Sequence, residues 1–476
     1  MNALLAALTV ALAAAVALAI PGGAAALLLC APLALFAGLL LSRGGGEQSP
    51  FLLKVFVGGL LIRMTVGVII NGFELQVFFG GDALTYDWLG GALLETWRSD
   101  IPVLPELKQW ALAGGWGMVY LVAGIYAVLG RNMLAVQFFN AVVGAATAPV
   151  VFLCARHIFQ NVRVAKVAAL SVAFYPSLVL WSSQGLKDGP IVFLLAVSML
   201  ATLKLGERMS VRYIFVLLLA MFAILSMRFY IFYMLAAAVC GAFIIGMRPQ
   251  TTRSLVRHLA VVLVLGIGLT YLGVLRTAGA QYELFGSLEG VQRSRSDLAR
   301  SANTGFGADV DVSTATGALS VVPLGMAYLL FAPFPWQLAS LRQSITLPEM
   351  VAWWAAFPLL VLGVWFTLSY RLRQALPILL FTTMLTLAYS IFQGNVGTAY
   401  RQRSQILVFY FIFVAVGAVL LKERQEEGKR ALLAEKQSRA EAARAVSGHR
   451  RYARWNSERG QELEQVAQDI AGRINF

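Results

Sequence analysis

Phe78-Phe79-Gly80-Gly81-Asp82-Ala83-Leu84-Thr85-Tyr86-Asp87-Trp88 gathers two carboxylates and a tyrosine among aromatic side chains, in a short connection between apolar runs. Ionisable groups at a membrane boundary cost free energy, so such a cluster marks a functional-site hypothesis. The Gly80-Gly81 pair frees the backbone to turn and bring the Asp82 carboxylate toward a substrate. Tyr86 lies four residues on and shares a face with Asp82 if 82–97 forms a short amphipathic helix. Asp87 stands one step further round. The bland alternative is an interfacial helix with Asp82 as its N-cap and Trp88 and Trp97 as anchors.

A second element runs Tyr175-Pro176-Ser177, then Trp181-Ser182-Ser183-Gln184-Gly185-Leu186-Lys187-Asp188-Gly189-Pro190. A proline at a helix start beside Lys187 offers helix N-terminal amides and a cation together, which suits an anion such as a lipid phosphate. Taken alone, Lys187 and Asp188 read first as a pair capping a turn, with the lysine stem snorkelling. Arg228, between an apolar run and Phe229-Tyr230, calls for a carboxylate or phosphate partner. Gly394-Asn395-Val396-Gly397-Thr398-Ala399-Tyr400-Arg401-Gln402-Arg403 sets two arginines beside a glycine turn. Phe331-Ala332-Pro333-Phe334-Pro335-Trp336 breaks a helix twice and presents aromatics. Such a stretch more often packs a re-entrant loop, although Trp336 could wall a lipid or sugar site.

The chain that must position these residues has 476 residues, 59% of them hydrophobic and only 13% charged. A soluble domain carries about 25% charged residues, so that class is excluded. Mean hydropathy is +0.73, and many windows approach the roughly 20 apolar residues that span hydrocarbon. The expected fold class is all-α, a polytopic transmembrane helix bundle. Candidate spans are 2–20, 24–42, 51–71, 134–154, 166–184, 190–206, 213–227, 230–246, 259–275, 352–370, 376–393 and 404–421. Two further stretches, 112–129 and 319–335, are interrupted by Gly or Pro and read as re-entrant or interfacial. Residues 1–20 read as a first span, with a cleaved signal peptide as the alternative because Gly23-Ala24-Ala25 offers small residues.

Positive charge orients the bundle. Arg43 and Lys54, then Arg156, His157, Arg163 and Lys166, then Lys204, Arg208 and Arg212 mark cytoplasmic turns. Arg248, Arg253 and Arg257, and Arg371 with Arg373, mark two more. The loop 72–110 then faces out with its acids Glu74, Asp82, Asp87, Glu95, Asp100 and Glu106 against Arg98 and Lys108. The 185–189 turn, Arg228, the polar loop 276–318 and the 394–403 turn face out with it. Outward arginines at 401 and 403 defy the positive-inside trend and ask for an anionic headgroup. The competing reading is an inverted topology at that turn. Three domains are expected: an N-terminal hairpin 1–50, a transmembrane module 51–421, and a charged tail 422–476. The tail is expected to be a cytoplasmic helix that fixes topology, lies on anionic lipid or pairs with a partner.

Cys30, Cys154 and Cys240 sit in apolar runs without metal-ligand spacing and imply no disulfide framework. His157, His258 and His449 are scattered beside basic residues and suggest no zinc site.

An outward acidic first loop, a span ending in a charged outward turn and a late outward arginine cluster resemble the GT-C superfamily of membrane glycosyltransferases, in its bacterial family-39-like form. The resemblance covers roughly 51–421. It implies transfer of a sugar from a polyprenyl-phosphate carrier to an acceptor hydroxyl on glycan, lipid or protein. The implied setting is the periplasmic face of a bacterial inner (plasma) membrane, in cell-envelope polysaccharide or glycolipid synthesis. The family's essential first-loop acid maps onto Asp82, followed by Tyr86. Many members carry two adjacent acids, whereas here Ala83 follows Asp82. A second carboxylate must come from Asp87 or Asp188 or be absent, which leaves a divalent ion (Mg or Mn) as an open cofactor. In such a reaction Asp82 is the general base on the acceptor. Lys187, Arg228, Arg401 and Arg403 are candidates to stabilise the departing phosphate, apolar grooves to hold the polyprenyl tail, and Trp or Tyr faces to stack on sugar. Nucleic acid is not an expected partner.

Two other classes compete. An O-antigen ligase- or polymerase-like enzyme would need Arg401 or Arg403 and dispense with Asp82. A transporter of lipid-linked saccharide would line a path with charged residues inside the spans, which hold few beyond Lys54 and Arg63. The lack of a nucleotide-binding signature argues against an ATP-driven pump and against a nucleotide-sugar donor.

Overall fold

The computed structural model describes residues 3–99, 115–247, 252–274, 278–279, 281, 286–300, 304–338 and 340–474. Asp100, Glu106, Lys108 and Arg248 lie outside the described residues. The chain divides into two units, Met1–Gly417 and Ala418–Phe476. Among the described residues the structure is helical throughout, with one isolated antiparallel bridge between Gly305 and Asn395. The all-α expectation holds.

Seven helices are long and apolar enough to cross a membrane: Gly23–Gly44, Gly46–Gly72, Met133–Phe159, Asp188–Glu207, Leu341–Tyr370, Leu372–Phe392 and Ser404–Ala442. An eighth span is broken. Val162–Phe174 and Pro176–Ser182 meet at a 54° bend, because Pro176 has no N–H to continue the ladder. Four more expected spans form shorter apolar helices: Ala3–Ala19, Val211–Met227, Phe229–Ile245 and Leu255–Tyr271. The two interrupted stretches form Trp116–Leu129 and Ala315–Phe331, of 14 and 17 residues. Both are shorter than the roughly 20 residues typical of a crossing, as are the 17-residue helices Val211–Met227 and Phe229–Ile245.

Arg63 closes the broken span. It is buried in the helix Ser49–Gly72, where its Nη1 donates to the carbonyl oxygens of Ala173 (2.8 Å) and Gly59 (2.9 Å) and its Nε to Ser182 Oγ (2.8 Å). The bend at Tyr175-Pro176 leaves carbonyls without helical donors, and irregular backbone at this depth survives only where protein satisfies it. The helix Met133–Phe159 packs against Ser49–Gly72, Val162–Phe174 and Asp188–Glu207 and is buried along most of its length. Close approach depends on small residues. A Cβ at Gly144 would lie 2.4 Å from the Ser182 side chain, and one at Gly363 would lie 1.8 Å from Phe413 O.

The loop 276–318 departs from its expected polarity. Within it Leu288–Arg300 is a helix whose Arg295 is fully buried. Its guanidinium donates to the carbonyl oxygens of Ile391 (3.0 Å) and Gln393. Those carbonyls end the helix Leu372–Phe392 and lack intrahelical donors, so the arginine is drawn inward. Residues 304–306 then bond to 394–396, Phe306 N to Gly394 O (2.8 Å) and Val396 N to Thr304 O (3.0 Å). The unit Ala418–Phe476 is an exposed helical stretch with i,i+4 pairs Glu435–Arg439 and Arg454–Glu458.

Candidate active site

Four elements bring charge to one place. Gly80 and Gly81 have φ of 128° and 75°, values an L-residue adopts only with strain. They turn the chain so that Asp82 becomes the first residue of the helix Asp82–Ser99. Gly81 rather than Asp82 precedes that helix, its carbonyl accepting from Leu84 N (2.9 Å). Asp82 is thereby released from the N-cap role, and its side chain is about half exposed. Asp188 opens the helix Asp188–Glu207 and is completely buried. Arg228 is the extended residue between Val211–Met227 and Phe229–Ile245. Arg401 sits on the seven-residue helix Val396–Gln402, capped by Asn395 Oδ1, which accepts from Gly397 N (2.8 Å) and Thr398 N (3.3 Å).

Arg401 bridges the two carboxylates. Its Nη1 pairs with Asp82 Oδ2, and its Nε and Nη2 each lie 2.6 Å from Asp188 Oδ2. Arg228 Nη2 approaches Asp188 Oδ1 at 3.2 Å. The Arg401 guanidinium also lies over the Trp181 ring, 5.9 Å from its centroid. Burial works against the charge on Arg401, but the carboxylates of Asp188 and Asp82 outweigh it and hold the proton more tightly than usual. Burial pushes the Lys187 ammonium down to about 7, and Arg228 adds to that shift against the pull of Asp188. Tyr86 is buried in the field of the same groups, and burial raises its phenol pKa. With Lys187 protonated, three cations face two carboxylates, and the guanidinium Nη1 of Arg228 is buried without a hydrogen-bond partner. That surplus can receive an anion.

Beyond Arg228 opens a cavity of about 670 Å³, lined by Phe229, Tyr230, Tyr233, Gln281, Tyr389 and Phe392 among others. Phe229 and Tyr230, which follow Arg228 directly in the chain, both line it, so the aromatic cavity adjoins the charged cluster.

Asp82, Tyr86, Lys187, Asp188, Arg228 and Arg401 therefore converge, and three other expected residues do not. Asp87 turns to the far side of its helix. It accepts from Tyr126 Oη (2.5 Å) and pairs with Arg131 Nη2 (2.5 Å), because one residue along a helix rotates a side chain by about 100°. Arg403 is fully buried, its Nη1 donating to Leu330 O (3.0 Å) and Ala332 O (3.3 Å). Trp336 is 76% exposed and stacks on Phe334 at 5.2 Å. Among the described residues no contact joins it to the cluster.

The donor set is poor for a divalent ion. The Arg401 guanidinium stands between Asp82 and Asp188, and Asp87 faces another way. Among the described residues no three Asp, Glu, His or Cys side chains converge on a metal site.

Two residues of the region escaped the sequence reading. Trp181, under Arg401, was visible only as part of a motif. Glu349 is buried and accepts from Tyr400 Oη at 2.9 Å. The signal available for it was an acid directly after Pro348 at the head of an apolar run.

Residues 116–272, about a third of the chain, match the family model described as dolichyl-phosphate-mannose-protein mannosyltransferase. That stretch contains Lys187, Asp188 and Arg228, and the match agrees with the resemblance to GT-C glycosyltransferases read from the sequence. No curated protein matches the chain in sequence. The solved structure of ArnT from Cupriavidus metallidurans bound to undecaprenyl phosphate is similar at TM-score 0.44 and 15% identity, over 72% of this chain and 59% of that one. The oligosaccharyltransferase AglB from Archaeoglobus fulgidus, in complex with an inhibitory peptide and a dolichol-phosphate, is similar at TM-score 0.43 and 15% identity, over 79% and 51%. The apo oligosaccharyltransferase of Archaeoglobus fulgidus gives TM-score 0.45 and 15% identity, over 82% and 52%. The chain spans between half and three fifths of the length of these structures.

Proposed function

We propose that this protein is a membrane glycosyltransferase that moves a sugar from a polyprenyl-phosphate carrier to an acceptor hydroxyl. The transfer takes place on the periplasmic face of a bacterial inner membrane, in cell-envelope polysaccharide or glycolipid synthesis. The observation that carries the reading is the Arg401 bridge, which ties Asp82 and Asp188 together beside Arg228 and Lys187. The matched family description supports a polyprenyl-phosphate sugar as the donor class.

The donor phosphate docks on Arg228, Lys187 and Arg401, and the aromatic cavity beyond Arg228 takes the first part of the lipid chain. The acceptor oxygen attacks the anomeric carbon while the bond from that carbon to the phosphate oxygen breaks. The phosphate leaves with the bonding pair, and the fixed cations stabilise the charge it gains. Asp82, the exposed member of the pair, takes the acceptor proton. Asp188 is closed to solvent and holds the two arginines in place.

The test is sugar transfer by purified protein in lipid, across a panel of polyprenyl-phosphate sugars, with Asp82→Asn beside wild type. Loss of the base lowers transfer by about 10²- to 10⁴-fold with an unchanged melting temperature. Near-normal transfer in that variant would remove Asp82 from the mechanism. If Arg401→Ala were then inactive, the ligase-like enzyme would become the better reading.

A further inference from the structure

The helix that carries Arg401 has only seven residues, too few to hold a side chain in register by its own hydrogen bonds. Something outside it must fix the guanidinium between Asp82 and Asp188. At its N-terminus that support is the Asn395 cap and the 304–306 strap. At its C-terminal turn stand Arg403 and, from the neighbouring helix Leu341–Tyr370, Glu349.

A carboxylate inside a spanning helix is expensive and rarely kept without a task. Glu349 is 7% exposed and plays no part in the transfer chemistry described above. Its Oε2 accepts a hydrogen bond from Tyr400 Oη at 2.9 Å. The Arg403 guanidinium lies over the Tyr400 ring, 4.9 Å from the centroid, and Arg403 is the cation whose field acts on Glu349. On its other side Tyr400 meets Trp181 edge-on, with centroids 6.3 Å apart and ring planes at 71°. Trp181 is the ring beneath Arg401. Tyr400 is thus gripped from Glu349, Arg403 and Trp181 together, and it precedes Arg401 directly in the chain.

We infer that Glu349 is a positioning residue: through Tyr400 it fixes the rotation of the helix Val396–Gln402, and so aims the Arg401 guanidinium at the two carboxylates and the donor phosphate. The inference rests on the proposed function only in what Arg401 is aimed at. Glu349 touches neither substrate nor Arg401, so its loss should act on geometry. A misplacement of about 1 Å remote from the reacting atoms can cost about 10²-fold in rate.

The experiment compares Glu349→Ala, Glu349→Gln, Tyr400→Phe, the double variant Glu349→Ala/Tyr400→Phe and Arg401→Ala, all as full-length protein in lipid nanodiscs. Binding of undecaprenyl phosphate, transfer and melting temperature are read for each. A glutamine side-chain carbonyl can still accept the tyrosine hydrogen bond, so Glu349→Gln is expected to stay within about 5-fold of wild type in kcat. Glu349→Ala and Tyr400→Phe are each expected to lose about 10- to 100-fold in kcat, with the affinity for undecaprenyl phosphate reduced less than kcat. The double variant should lose no more than the worse single one, as groups acting in one chain do. A folded Glu349→Ala protein with wild-type kcat and binding overturns the inference, and so does a double variant whose losses multiply. Should Glu349→Ala fail to fold, Tyr400→Phe alone decides. If Arg401→Ala itself binds undecaprenyl phosphate like wild type, the functional reading fails. If Arg401→Ala loses binding while the Glu349 and Tyr400 variants lose nothing, the positioning role alone is wrong.

Discussion

Arg401 and Arg403 leave one short helix two residues apart and meet opposite surroundings. Arg401 ends on carboxylates, one buried and one half-exposed, beside a large aromatic cavity. Arg403 ends on the carbonyls of Leu330 and Ala332 and the sulfur of Met350, closed to solvent. Neutral carbonyls cannot leave, so Arg403 is committed to the fold. A carboxylate can be exchanged for a phosphate that presents the same pair of oxygens to the guanidinium fork. The partners of an arginine, more than its sequence neighbours, decide whether it is available to a ligand.

The largest effect that would separate the two sides is Arg401→Ala. Transfer should fall by about 10³-fold, and the protein should lose stability because the buried Asp188 gives up one of its two arginine partners. Arg403→Ala should behave otherwise. It orphans the buried Ala332 carbonyl at a cost of about 1–3 kcal/mol, whereas Leu330 O keeps the bond from Trp353 Nε1 (2.8 Å), so the melting temperature drops while the KM for the lipid donor holds. Equal losses of donor affinity in both variants, read by lipid binding and thermal unfolding, would erase the distinction.

Lys187 sharpens the open side further. Its ammonium is pushed down to about 7 by burial, with Arg228 adding to the effect, so it is protonated below that pH and neutral above it. An anion prefers the protonated form, and the affinity for undecaprenyl phosphate should therefore weaken as pH rises through about 7. In Lys187→Arg that limb should vanish while binding persists, since a guanidinium does not deprotonate in this range. A limb that survives the substitution would assign the titration to another group. The same lowering sets a stability slope. The unfolded chain holds this proton up to the ordinary lysine range and the folded chain only to about 7. The folded state is therefore penalised below that pH, and the penalty lifts as pH rises between the two values.

Asp87→Asn is the smallest perturbation. It weakens the clasp to Tyr126 and Arg131, in which Arg131 is largely exposed, and should cost about 1 kcal/mol or less with transfer unchanged. A loss of transfer comparable to Asp82→Asn would return Asp87 to the site.

Among the described residues the expected apolar runs form apolar helices, because hydrocarbon thickness and backbone satisfaction leave little choice. The members of the site were legible as types: an acid after two glycines, a Lys-Asp pair before a proline, an arginine beside a glycine turn. Their pairing was not. Asp82 and Arg401 lie 319 positions apart, and only packing brings them together. That Asp87 and Arg403 lie away from the cluster has one physical cause. On a helix, one or two residues of spacing rotate a side chain by about 100° or 200°, which carries it to another face. Glu349 is not legible as part of the region because the Tyr400 hydroxyl from which it accepts comes 51 residues later.

The three helices Val211–Met227, Phe229–Ile245 and Ala315–Phe331 have 17 residues each, about 25 Å of rise against roughly 30 Å of hydrocarbon. Two of them flank Arg228, and local thinning of the bilayer is one way in which such short helices are matched to it. Acyl-chain length should then act on this protein as an effector does, with short-chain lipids favouring the packed state and long-chain lipids straining the elements around Arg228.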